Sequence, residues 1–135
     1  KKKREGGLLS GVPRSLPSMV KAYRVGEKAA SVGFDWERRE DVWAKVQEEI
    51  GEVQSEIDAK DHDALEGEFG DLFFALINAS RLYGIDPEQA LERTNRKFIH
   101  RFGCIEKGAA EQGRELGDLT LEEMEELWQA AKKCD

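Results

Sequence analysis

From Val42 to Leu76 the apolar residues recur every third or fourth position. Val42, Val46, Ile50, Val53 and Ile57 form one series; Leu65, Phe69, Leu72, Phe73 and Leu76 form the next. That period is helical, and no segment shows sustained period-two alternation. The spacing therefore predicts an all-α chain. At about 100° per residue each series makes one stripe along its helix. Carboxylates run along the border of both stripes. Glu49 lies about 20° outside the first, Lys45, Glu52 and Glu56 follow the same edge, and Glu48 points further outward. Glu68 and Asp71 flank the second stripe, one turn apart. Phe74 falls roughly opposite that stripe, so the second helix is expected to be buried on more than one side.

Start and stop signals divide the chain into five helices. Ser15 is expected to cap the first, with Pro17 in its first turn and Gly33 beyond its end near Ser31. The second is expected over about 37–59. The third starts in "DHDALEGEF" and stops at Gly84, where a glycine suits the left-handed position after a helix. Asp86 and Pro87 open the fourth. Thr120 and Glu123 make a capping box for a short fifth helix. Residues 1–14, a basic block followed by "GGLLSGVP", read as a tail or interdomain linker, and 15–135 as one helical domain.

The totals narrow the function. At 135 residues the chain can bury a core without disulfides. A net charge of −7 argues against nonspecific DNA or RNA binding, which calls for a basic footprint. Cys104 and Cys134 are too few for a disulfide framework or a cysteine-rich zinc site, and suit a reduced, cytoplasmic setting. No run approaches the roughly 20 apolar residues that span a membrane, and "LLSGVP" is too short for a signal peptide.

If the second and third helices pack as antiparallel neighbours, Glu49, Glu52, Glu68 and Asp71 converge. Four negative charges in a partly dry site require a cation between them. Oxygen-only ligands select a hard ion, Mg²⁺ or Mn²⁺ ahead of Zn²⁺. The plain alternative is a solvated acidic face balanced by Lys45 and Lys60. A di-iron bundle would want Glu-x-x-His pairs, and neither His62 nor His100 supplies one. On the fourth helix Arg93, Lys97 and Arg101 follow one another at i+4, a basic ridge beside Leu91, Thr94, Phe98 and Phe102. Magnesium held by carboxylates keeps positions open for phosphate oxygens, and such a ridge suits the remaining ones.

These residues resemble a known family. "EEIGE" followed by "EFGD" is similar to the EExxE…ExxD signature of MazG-type nucleoside triphosphate pyrophosphohydrolases. The likeness extends through "SLPSMVKAYRVGEKAASVGFDW", "NRKFIHRF" and "LEEMEELWQAAKK", from about Val12 to Lys133, and is to the second, catalytic domain of two-domain members. The resemblance implies a four-helix-core bundle with an extra C-terminal helix, assembled as a homodimer or higher even oligomer. It implies Mg²⁺-dependent cleavage of NTPs and dNTPs between the α- and β-phosphates. It assigns Glu49, Glu52, Glu68 and Asp71 to the metal and Lys97 and Arg101 to the triphosphate. Trp128 matches a tryptophan that packs against the nucleotide. Lys45 is a further phosphate contact, and Glu48 is a candidate for orienting or deprotonating the attacking water. Gly51 and Gly67 interrupt the motif helices, and a first MazG domain is missing from this sequence.

Two rival readings remain. Related bundles act on a single nucleotide (dUTP, dCTP or phosphoribosyl-ATP), with Trp36, Trp43 and Trp128 as aromatic candidates for the base pocket. A non-catalytic dimeric module would instead use Phe73, Phe74 and Ile77 as its interface. In either case Phe74 and Ile77 are expected to face a partner subunit.

Overall fold

A computed structural model describes residues 6–134, of Cys134 the backbone alone. The basic block 1–5 of the expected tail lies outside the described residues. Five α-helices follow in order: α1 Ser18–Ser31, α2 Val42–Ala59, α3 His62–Leu82, α4 Pro87–Glu111 and α5 Leu121–Ala131. Among the described residues there is no strand. The chain divides into two compact units, one ending at Glu88 and the other starting at Gln89.

In the first unit α1 and α2 both pack on α3. Lys60 takes the left-handed conformation (φ 60°) after α2, and the Asp61 side chain caps α3 by accepting from Ala64 N–H at 3.1 Å. This two-residue link makes α2 and α3 a helical hairpin. Its core is Val42, Val46, Ala75 and Ala79, with Trp36, Ile50, Leu72 and Leu82 packed around it. The segment before α1 contributes a 3-10 turn, Leu8–Gly11, that packs on α1. In the second unit Thr120 and Glu123 form the capping box of α5, as the sequence predicts, and Gly108 of α4 lies against Leu127.

Four expectations are corrected. Ser15 does not cap α1: Pro17 is itself the N-cap, in extended conformation, and its carbonyl accepts the first helical bond from Lys21 N–H. The α-helix α2 begins at Val42 rather than near 37, because Arg39–Asp41 form a 3-10 turn and Arg38 is extended. Only part of the expected apolar stripe of α3 forms its inner face: Leu72 packs on the core, but three of its larger members do not. Phe69, Phe73 and Leu76 are exposed, while Ala75, Ile77, Asn78 and Ala79 are buried. Ala75 and Ala79 let α2 and α3 approach closely, while Phe69, Phe73 and Leu76 turn outward. Ile77 is therefore buried within its own chain and is not available to a partner.

Candidate active site

The hairpin places its acids as the helical period requires. Glu49 on α2 faces Glu68 and Asp71 on α3, and one carboxylate oxygen from each lies within 4.8 Å of the others. Glu49 is only 7 % exposed. Its Oε1 meets Lys45 Nζ at 3.2 Å, and its Oε2 is buried without a hydrogen-bond partner. A buried carboxylate oxygen left unpaired is costly. Three converging carboxylates with no thiolate or imidazole among them fit a hard divalent cation. The Glu68 carboxyl is held above its ordinary range by partial desolvation, and further by the charges of Glu52, Asp71, Glu49 and Glu56.

Glu52 is exposed and is not part of the group of three, although its charge reaches Glu68. Glu48 is exposed as well and accepts from Lys45 Nζ at 2.6 Å. Lys45 thus bridges two glutamates, which raise its pKa, Glu48 first and Glu49 second. In the second unit the Arg101 guanidinium lies over the Trp128 ring at 5.6 Å, and the Phe98 ring meets Trp128 at 5.2 Å. Lys97 is exposed on α4, one turn before Arg101.

Glu49, Asp71 and Lys45 also line a cavity of about 730 Å³ within the first unit. That volume lies in the range of small-molecule sites. Phe34, Trp36, Asn78 and Arg81 line it too, and so does Phe74. Phe74 therefore belongs to the cavity wall, not only to an outward face. Trp43 is not among the lining residues: its indole N–H donates to the Tyr83 hydroxyl at 3.1 Å, and Arg39 lies over the Tyr83 ring.

Sequence reasoning missed the Asp35–Asn78–Arg81 group in this wall. Arg81 Nη1 and Nη2 grip the Asp35 carboxylate at 3.1 and 2.8 Å, and Arg81 Nε donates to Asn78 Oδ1 at 3.3 Å. Arg81 pulls the Asp35 carboxyl below its usual range. The available signal was Asn78 itself, a polar residue two turns beyond Asp71 on the same face of α3.

Fold and site together define an all-α protein with a carboxylate cluster, on a helical hairpin, suited to a divalent metal. Residues 38–103 match the family model described as the MazG nucleotide pyrophosphohydrolase domain. The chain is 38 % identical, over its whole length, to the nucleoside triphosphate pyrophosphohydrolase/pyrophosphatase MazG of Thermotoga maritima. It is 41 % identical over 133 residues to the nucleoside triphosphate pyrophosphohydrolase of Escherichia coli strain K12. An uncharacterized Bacillus subtilis protein, YabN, is 48 % identical over 132 residues, which are 27 % of its length. This chain belongs to the MazG family. It spans about half the length of the first two relatives, 52 % and 51 %.

Proposed function

We propose that the chain hydrolyses nucleoside triphosphates with Mg²⁺, or Mn²⁺ in its place, between the α- and β-phosphates. The observation that carries this reading is the carboxylate triad, with the unpaired Oε2 of Glu49, beside a nucleotide-sized cavity. Glu49, Glu68 and Asp71 would hold the cation, with Glu52 joining them. When bound, the metal polarises a phosphoryl oxygen and lowers the pKa of a coordinated water. Water attacks the α-phosphorus, the bond to the bridging oxygen of the β-phosphate breaks, and NMP and pyrophosphate leave. Lys97 and Arg101 neutralise charge gathering on the leaving pyrophosphate. Lys45 reaches the phosphates from the rim of the acidic cluster. Glu48 lies outside the cluster and remains the candidate for orienting the attacking water. Trp128, under the Arg101 guanidinium, packs against the nucleotide.

The same reading includes a homodimer that completes the four-helix core, and a cytoplasmic location where nucleotide pools lie. No described helix is long and apolar enough to cross a membrane. Nucleic acid is not a partner in this reading.

The test is a panel of NTPs and dNTPs with Mg²⁺, with products separated by chromatography. NMP plus pyrophosphate, lost in EDTA and restored by Mg²⁺ or Mn²⁺, is the expected result. NDP plus phosphate, or full activity in EDTA with metal content verified as negligible, would overturn it.

A further inference from the structure

Asn78 is 7 % exposed and lines the cavity seven residues after Asp71 on α3. At 1.5 Å per residue the two side chains are about 10 Å apart along the helix axis. That is about the span from the α-phosphate to the far edge of the base in an extended nucleotide. The carboxamide has a fixed orientation. Arg81 carries only donors, so the atom facing its Nε must be the amide oxygen, and the NH₂ must be the other arm. The guanidinium cannot turn away, because Nη1 and Nη2 both hold Asp35. Gly26 of α1 seals the arrangement from the other side. A Cβ there would come within 2.5 Å of Asn78 Oδ1 and 3.0 Å of Arg81 Nε. Among the described residues, Asn78 is hydrogen-bonded through Oδ1 and none accepts from its Nδ2. This arm of the amide is not sealed in the core: it is open to the cavity, where an acceptor on a ligand can reach it.

We propose that Asn78 is a specificity-determining residue whose Nδ2 donates to a keto oxygen on the edge of the nucleobase. Guanine and the 4-keto pyrimidines present an acceptor where adenine and cytosine present an amino donor. The site would therefore favour guanine, uracil and thymine nucleotides. Arg81 and Asp35 act as positioning residues for the amide. This inference rests on the nucleotide reading above.

The test compares kcat/KM for dGTP against dATP and for dUTP against dCTP, with Mg²⁺. The wild-type protein should prefer the keto member of each pair by about tenfold, mainly through KM. Asn78→Asp keeps the size and the bond from Arg81 but turns the free arm into an acceptor. It should bring both ratios to one or below; its added charge slows all four substrates alike, so the ratios are what is read. Gly26→Ala displaces the carboxamide without adding charge and should also draw the ratios toward one, with the helical circular dichroism unchanged. Wild-type ratios of one, or ratios unchanged in Asn78→Asp, would overturn the proposal while leaving the pyrophosphohydrolase reading intact. If Asn78→Asp does not fold, the wild-type and Gly26→Ala ratios decide. Absence of NMP from all four substrates would overturn both.

Discussion

Taking one carboxylate from the cluster of Glu49, Glu68 and Asp71 removes repulsion together with a metal ligand. Asp71 is exposed, so its loss leaves no hole in the core. Asp71→Asn should lower hydrolysis by about a hundredfold or more. In EDTA it should melt at the wild-type temperature or higher. Retained activity would remove Asp71 from the site, and outright unfolding would make it a structural partner. The Asp35–Arg81 pair behaves in the opposite way. The Arg81 side chain is 10 % exposed, and Asp35→Ala would leave its charge buried without a partner. A loss of about 3 kcal/mol is expected, read as a lower denaturant midpoint. Because the folded pKa of Asp35 is depressed, its contribution is full above its ordinary value of 3.8 and is lost as pH falls below that. Glu49 and Asp71 were legible in the sequence because local helical period places them. Asp35 and Arg81 were not, since a contact between residues 46 apart leaves no local pattern.

Helix α5 is held at its start by a network that joins it to the loop before it. Thr120 Oγ1 accepts from Glu123 N–H at 3.2 Å, and Glu123 Oε1 accepts from Thr120 N–H at 2.9 Å. Arg114 grips the same glutamate with both Nη atoms and also donates to the Asp118 carbonyl. Thr120→Ala should cost about 1 kcal/mol, measured by thermal or chemical unfolding. The Glu123 carboxyl, drawn down to about 2 by Arg114 first and by the Thr120 N–H second, adds a pH dependence. Its stabilisation is present above its ordinary value of 4.5 and disappears as pH falls toward 2. Glu123→Gln should flatten that acid limb in melts followed by circular dichroism; an unchanged limb would assign acid sensitivity elsewhere. This cap was legible because it is written within four residues. The inner face of α3 was not. A stripe of large apolar residues identifies a buried face, but not whether it is buried by the same chain. Here Ala75 and Ala79 take the core positions, and Phe73 stands 59 % exposed. The start of α2 was misplaced for a related reason: Asp35, bound by Arg81, and Trp36, packed on the core, hold the preceding segment out of the helix.

Each unit on its own carries an uncovered apolar face. Phe69, Phe73 and Leu76 make one on α3, and Leu91, Phe98, Ile99 and Phe102 make another on α4. Monomeric proteins rarely leave contiguous surfaces of this kind in water. A second copy related by a two-fold axis is the simplest cover, because each face then meets a surface the chain already has. It also accounts for Phe69, Phe73 and Leu76 lying outside on α3 while Ala75 and Ala79 lie inside. The expected state at micromolar concentration is therefore a dimer. Phe73→Glu is the variant that tests it. Phe73 is exposed in the single chain, so a glutamate there is tolerated by the subunit's own fold, whereas in an interface it would be buried without a partner charge. The variant should sediment as a monomer, keep its helical circular dichroism, and lose activity although every carboxylate of the cluster remains. Phe74→Glu would be a poorer choice, since Phe74 lines the cavity and its loss would damage substrate binding directly. A wild-type protein that sediments as a stable, active monomer would sink the dimer. The exposed phenylalanines of α3 would then require a different partner.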